Sequence, residues 1–341
     1  MSPVELLAPG GDPLAVKAAI LAGADAVYLG VGECNARKRA TNIRETELAG
    51  LCRIAHGRGC RIYLTLNILV FEPEVPELLR LLHHATEAGI DAVILQDWGL
   101  VHLVHELFPA LEIHASTQLT THNPGQLAFL KPWGIRQVNL SRELSLAETR
   151  ELCAAAHEAG MRAEVFVHGA FCVSFSGQCY FSGLLHDNAA NRGACVQPCR
   201  RACVSAEAPA DGSVLPFNLK DNSLFATAGE LVAAGVDACK IEGRIKGFEY
   251  VYAVVAAWRA QLDRIRAGNK PAQDDPRLAA VFNRGFSDNL FRGRPGKSSF
   301  AATSADASLH EVGSVAGYHA DRRELALQPG GSLRPGVVVT I

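Results

Sequence analysis

The chain has 341 residues, 48% of them hydrophobic, enough to bury a large core as one big domain or as one big domain plus a small one. Its 33 Lys and Arg nearly balance 35 Asp and Glu, a formal charge of -2, so no global field draws it to nucleic acid or to an anionic membrane. No basic region with a long apolar run opens the chain, and no window approaches the roughly 18 to 20 apolar residues of a membrane span, so we expect a cytoplasmic protein without membrane contact. Its cysteines would then face a reducing compartment, where disulfides are rare.

Apolar runs and amphipathic segments alternate from the N-terminus on. VELLAP (4–9) precedes the helical pattern DPLAVKAAILAG, AVYLGV (26–31) precedes TELAGLCRIAHGRG, and RIYLTLN (61–67) precedes VPELLRLLHHATEAG. AVILQD (92–97), EIHAST (112–117) and QVNLS (137–141) follow, then LAETRELCAAAHEAG, AEVFVHG (163–169) and CKIEG (239–243). Runs bounded by Gly, Asn or Asp suit a parallel sheet buried on both faces, and the helical patterns end in the Gly that favours a helix C-cap. Eight strands close a barrel. LAGADAVYLG, EAGIDAVILQ and AAGVDACKIEG repeat one helix-end, turn and strand design, so the pattern predicts an α/β fold, a (β/α)8 TIM-like barrel over roughly residues 1–265.

Polar residues gather at the strand ends, where barrel enzymes build their sites: Asn67, Gln96, Asp97, His114, Ser116, Gln118, Arg142, Glu143, His168, Lys240, Glu242 and Arg244. Any one of them also reads as a satisfied polar residue lining the barrel top. After the seventh strand the chain runs from Ala170 to about Asp221 before the next helix, far beyond the usual two to six residues. From about Pro295 the pattern changes to short β-like runs with Gly and Pro turns, ending in GVVVTI. We therefore expect a barrel domain over 1–294, including the 170–221 insertion, and a small β-rich domain over 295–341, either closed by that last run or cut inside a larger one.

The insertion carries five of the ten cysteines: Cys172, Cys179, Cys195, Cys199 and Cys203. There is no C-x-x-C knuckle, and only Cys195 and Cys199 have a spacing usual for structural zinc. Thiolates from a long Gly-containing loop can wrap an iron–sulfur cube, which is the first reading; zinc, redox-active thiols and inert buried thiols are the alternatives. Cys52 and Cys153 sit on apolar helix faces as small hydrophobes, Cys34 and Cys60 read the same way, and Cys239 in the eighth strand is an alternative ligand.

EVFVHGAFCVSFSGQCYFSG, NRGACVQPCR and KIEGR closely resemble the collagenase-like peptidase family, long filed as proteases of unknown catalytic type. ELLAPGGDPLAVKAAILAGADAVYLG, IHASTQ, LSREL and FNRGFSDNLFRG are similar to further family segments, so the resemblance spans nearly the whole chain. It implies an oxygen-independent hydroxylase with a four-iron, four-sulfur (4Fe-4S) cluster on Cys172, Cys179, Cys195 and Cys199, Cys203 having no counterpart. It further implies RNA hydroxylation at carbon five of a pyrimidine, with prephenate as hydroxyl source. AANRGAC, LKDN and KIEGR look most like the branch making 5-hydroxycytidine in large-subunit ribosomal RNA; hydroxylation of the transfer RNA wobble uridine, quinone-ring hydroxylation and peptidase activity are the alternatives.

A dicarboxylate such as prephenate needs cations, and Arg142, Lys240 and Arg244 sit where the sixth and eighth strands deliver them; ion pairing with Glu143, Glu164 or Glu242 is the competing use. His168 is a candidate proton shuttle, or else bonds a carbonyl under the loop. We expect His168, Glu164, Lys240 and Glu242 as catalytic groups and Arg142, Arg244, Gln118, Asn67, Arg192 and Lys220 as substrate-binding groups. An RNA-binding patch is expected from Arg192, Arg200, Arg201, Lys220, Lys240, Arg244 and Lys246 interleaved with Phe171, Phe175, Tyr180 and Phe181, unless those aromatics only pack over the loop. Neither H-E-x-x-H nor G-x-S-x-G occurs, and HGAFC places a Cys near a His without an evident third partner.

Overall fold

A computed structural model of the chain describes residues 3–32, 35–36, 41–203, 215–293, 295–301, 313–319 and 324–329. Eight parallel strands close on themselves: β1 (Glu5–Gly10), β2 (Ala26–Leu29), β3 (Arg61–Leu66), β4 (Ala92–Leu95), β5 (Glu112–Ala115), β6 (Ile135–Asn139), β7 (Arg162–Gly169) and, after the short β8 (Asp221–Ser223), β9 (Ala238–Ile241). Leu7 lies opposite Ala26 at the start of the ring, and β9 closes it, with Cys239 opposite Leu6 on one side and Val165 on the other. All eight strands expected from the sequence form, and the fold is a (β/α)8 barrel.

Side chains alternate across the barrel wall with the period of two that a strand imposes. Leu6, Ala8, Val27, Leu29, Ile62 and Leu64 pack outward into the layer shared with the helices. Leu7, Ala26, Tyr28, Tyr63, Ala92 and Ile94 form a separate inner cluster. Around the wall lie α1 (Pro13–Leu21), α2 (Glu45–His56), α3 (Val75–Ala88), α4 (Trp98–Leu107), α5 (Pro124–Leu130) and α6 (Leu146–Glu158). The insertion holds α7 (Phe181–His186), and α8 (Ala228–Ala233) and α9 (Phe248–Arg266) flank β9. Asp12 starts α1 by accepting the Leu14 and Ala15 N–H groups at 2.8 Å, ahead of a proline in the first turn, and Ser145 with Glu148 makes a capping box on α6.

The repeated Gly-x-Asp-Ala phrase has one structural job. Asp25, Asp91 and Asp237 each accept, at 2.7 Å, a backbone N–H from a neighbouring strand: Leu6, Ile62 and Ala163 respectively. The repeat therefore clips the start of each strand pair at the end of the barrel away from the polar strand termini.

Two strands escaped the sequence pattern because they are too short to show a period. β8 runs antiparallel to β7, His168 facing Ser223, and β10 (Phe286–Ser287) pairs in parallel with β8, so FNRGFSDNLFRG folds back against the end of β7. Beyond the short α10 (Pro276–Ala279), β11 (Gly313–His319) and β12 (Glu324–Pro329) form an antiparallel pair. The GVVVTI run lies outside the described residues. No described helix is long and apolar enough to cross a membrane.

Candidate active site at the barrel mouth

The C-terminal ends of the strands open into a small cavity of about 50 Å3 whose lining includes Tyr28, Thr65, Asn67, Gln118, Asn139, Arg142, Phe166, Lys240, Glu242 and Arg244. Six expected site residues thus meet there: Asn67, Gln118, Arg142, Lys240, Glu242 and Arg244. Lys240 is buried between two rings, its Nζ 4.6 Å from the Tyr28 centroid and 5.2 Å from that of Phe166, and it donates to Glu164 Oε1 at 2.7 Å. Burial pulls the Lys240 ammonium below its ordinary value, and Glu164 pulls it back up. Glu164 also accepts from Gln137 Nε2 at 2.6 Å and Asn139 Nδ2 at 2.5 Å, so it acts behind the cavity as an anchor for these three residues. Arg244 is buried and donates to Asn35 Oδ1 at 2.9 Å and Thr65 Oγ1 at 2.6 Å. Arg142 stacks on Phe166 at 3.9 Å and donates to Ala170 O at 3.1 Å. Glu143 is not its ion-pair partner: its oxygens take Ser176 N at 2.6 Å and Ser176 Oγ at 2.7 Å.

The insertion folds over this mouth and is tied to it strand by strand. Glu143 after β6 holds Ser176, Gln178 Nε2 donates to Gln118 O after β5 at 2.6 Å, and Arg192 reaches Leu69 O and Glu74 after β3. Gly193, at φ +77, comes so close to the segment after β2 that a Cβ would stand 2.1 Å from Asn35 O. Under this lobe lies a second cavity of about 420 Å3, lined by Cys172, Cys179, Cys195 and Cys199 together with Arg200. It shares Ala36, Thr117, Gln118 and Arg142 with the mouth, so the two cavities meet at one wall.

These four thiols are free and half-buried. Burial pushes the Cys199 thiol up, Arg200 draws it down, and the neighbouring Cys172, Cys195 and Cys179 push it up again. Cys172 Sγ lies 3.2 Å from Ser174 Oγ, and Cys195 Sγ accepts the Gln197 N–H at 3.3 Å. Among the described residues no three His, Cys, Asp or Glu side chains converge as one metal ion requires. The donor set, four thiols on one cavity and no disulfide, suits a multi-iron cluster better than one zinc ion bound at about 2.3 Å from every sulfur. Cys203 does not line the cavity. Cys52, Cys153 and Cys239 are buried with their thiols pushed up to about 11, 12 and 12, as inert packing predicts, and Cys60 behaves alike. Cys239 is therefore no ligand on this geometry, and Cys34 lies outside the described residues.

Four expectations need correction. Glu164, expected as a catalytic group, is 1% exposed, lines neither cavity and is taken up by Lys240, Gln137 and Asn139. His168 lines neither cavity: it is 2% exposed, packed 5.3 Å from Phe286 and 6.5 Å from Trp258 by ring centroids, and burial holds its imidazole down to about 3. Its Nδ1 meets no partner among the described residues, so it bonds no carbonyl through that atom. Arg192 is committed to Glu74 at 2.9 Å and stacks on Phe71 at 4.4 Å, a clip for the lobe rather than a group facing substrate. Lys220 lines neither cavity; its backbone N–H donates to Ser299 O at 2.9 Å beside β8. The expected RNA patch is likewise divided: Phe171 and Arg200 face inward, whereas Phe175, Tyr180 and Arg201 are exposed. Sequence reading missed Tyr28, Thr65, Asn139 and Phe166, whose types are ordinary in strands.

A (β/α)8 barrel with a four-cysteine lobe over its mouth defines the class. The model for peptidase family U32 matches residues 11–301, and the chain belongs to that family. It is similar to the 23S rRNA 5-hydroxycytidine C2501 synthase of Escherichia coli (strain K12), 36% identical over 86% of this chain, but spans only 46% of that relative's length. The collagenase of Porphyromonas gingivalis is 33% identical over 85% of this chain and 74% of its own. The tRNA hydroxylation protein P1 of Bacillus subtilis is 30% identical over 97% of this chain and 82% of its own. The solved U32 peptidase Mk0906 overlays with a TM-score of 0.48 at 18% identity, over 71% of this chain and 94% of its own.

Proposed function

We propose that the chain hydroxylates a pyrimidine base in RNA without molecular oxygen, with a 4Fe-4S cluster held by Cys172, Cys179, Cys195 and Cys199. The observation that carries this reading is the pair of adjoining cavities, one lined by four free thiols and the other by buried cations, joined through Thr117, Gln118 and Arg142. The names of two relatives supply the substrate class, and 5-hydroxycytidine in large-subunit ribosomal RNA is the specific reading, ahead of a transfer RNA uridine. Bound on four cysteines, a cluster supplies electron transfer or a structural pin, because no coordination site stays open.

The chain's own residues would do the rest. Among the described residues lining the mouth, Arg142, Lys240 and Arg244 supply the forked and point-charge donors that suit the carboxylates of a small co-substrate such as prephenate as hydroxyl source. Lys240, at the ring-lined base of the mouth, is the group placed to hold or move a proton there. Thiol proteolysis has less support: no His, Asp or Glu is among the described residues lining the cysteine cavity, so no base stands beside a candidate nucleophile.

The deciding experiment measures iron, sulfide and zinc in protein purified without oxygen, for wild type and Cys179→Ala, and 5-hydroxypyrimidines in RNA from cells lacking the gene. About four irons and four sulfides per chain, lost in the variant, with a depleted 5-hydroxypyrimidine, are expected. Zinc without sulfide, or unchanged nucleosides in ribosomal and transfer RNA, would refute the reading.

A further inference from the structure

We infer that Asn139 and Gln118 select the target base by accepting from its exocyclic amino group, which makes the substrate a cytosine rather than a uracil; this rests on the RNA-hydroxylase reading above. Asn139 ends β6, is 1% exposed and lines the mouth cavity. Its Nδ2 donates to Glu164 Oε1 at 2.5 Å, while the same carboxylate is held by Lys240 and Gln137. Turning the amide over would set Oδ1 against a carboxylate oxygen, so the orientation is fixed with Oδ1 left as the acceptor. That oxygen has no hydrogen-bond partner among the described residues.

Gln118 Oε1 and Thr117 Oγ1 are in the same condition, buried and without a partner among the described residues, and both residues belong to the wall shared by the two cavities. A native fold leaves few buried polar atoms unmatched, and a ligand that completes them is one of the established reasons. The complement of the fixed Asn139 oxygen, and of Gln118 Oε1 as it is placed, is an N–H or O–H donor. An ionised carboxylate or phosphate group has none to offer. Uracil presents a single N–H between two carbonyl oxygens, whereas the cytosine amino group carries two N–H on one nitrogen, one for each amide oxygen. Arg142 in the same wall bears the N–H donors that the ring nitrogen and O2 of cytosine accept. A base turned out of its strand is read on this edge.

Cells lacking the gene are complemented with wild type, Gln118→Leu, Gln118→Glu or Asn139→Leu, and the initial rate of appearance of 5-hydroxycytidine and 5-hydroxyuridine is followed in digested RNA after induction. Wild type restores 5-hydroxycytidine; Gln118→Leu and Asn139→Leu each lower its rate by about tenfold, and Gln118→Glu, which keeps an acceptor oxygen, recovers most of it. Iron content of the purified Gln118 variants stays at the wild-type level, which separates loss of recognition from loss of the fold. Equal rates in the Leu variants, equal damage from Leu and Glu at position 118, or restoration of 5-hydroxyuridine alone would overturn the inference and leave RNA hydroxylation standing. Restoration of neither nucleoside by wild type would overturn the underlying reading instead.

Discussion

Replacing His168 with Leu separates two roles that its place at the end of β7 leaves together in the sequence. Burial against Trp258 and Phe286 holds the imidazole down to about 3 from an ordinary 6.5, so it is neutral in the folded protein at any physiological pH. The unfolded chain takes up a proton below about 6.5, so between about 6.5 and 3 it binds more protons than the folded state. Stability contributed by the neutral imidazole is therefore complete above pH 6.5 and falls as pH drops, by about 1.4 kcal/mol per unit, or about 2 kcal/mol between pH 6.5 and 5. His168→Leu lacks this loss. Whatever offset the new side chain adds by packing is independent of pH, so the difference between the two pH profiles isolates the histidine. Urea unfolding followed by tryptophan fluorescence at pH 7.5, 6.5, 5.5 and 5.0 measures it. Parallel profiles for wild type and variant would refute the burial argument. A drop in hydroxylation of the 10²- to 10⁴-fold that a general acid or base supplies would return His168 to the chemistry; the structure predicts a change of a few fold at most.

Lys240→Met leaves the buried Glu164 carboxylate without its cation and lowers stability by about 3–5 kcal/mol, with partial recovery on adding Glu164→Gln. Strictly additive losses in urea midpoints would mean that the two do not act as a pair. Arg192→Ala breaks the Glu74 and Phe71 clip, speeds proteolysis between residues 170 and 203 and destabilises by about 1–2 kcal/mol. On the proposed RNA-hydroxylase reading the salt dependence of RNA binding stays the same in this variant; a slope smaller by about one would make Arg192 a phosphate ligand after all. Cys203→Ala keeps the full iron and sulfide content, since Cys203 is absent from the cysteine cavity, and loss of iron in that variant would redraw the ligand set.

The barrel was legible because its physics writes itself along the chain. A strand covered on both faces must be apolar throughout, a helix must end, and the Asp25, Asp91 and Asp237 clips recur because three strand pairs share one geometric problem. β8 and β10 carry no such signature, having three and two residues whose place is set by pairing with distant segments. Asn139 shows the corresponding limit for the site. One Asn at a strand end looks like any polar residue, and only the fixed bond to Glu164 turns its other atom into an oriented acceptor.

Arg192 and Arg200 share a cause that bears on how such lobes are read. A long irregular segment leaves backbone carbonyls without the partners that a helix or sheet supplies, and each buried one needs a donor. Arg200 serves Phe171 O at 2.7 Å and also Leu219 O, Arg142 serves Ala170 O, and Arg192 serves Leu69 O. Arginine suits this work because one forked group reaches two acceptors and remains charged when partly buried. Nearness in sequence to the cysteines therefore selects for arginines that build the lobe, whereas the cations that line the mouth come from the end of β9 and from the turn after β6, where Arg142 both lines the cavity and serves Ala170 O. That is why Lys240, Arg244 and Arg142 meet at the mouth while Arg192 and Arg200, both closer to the cysteines along the chain than Lys240 and Arg244, do not.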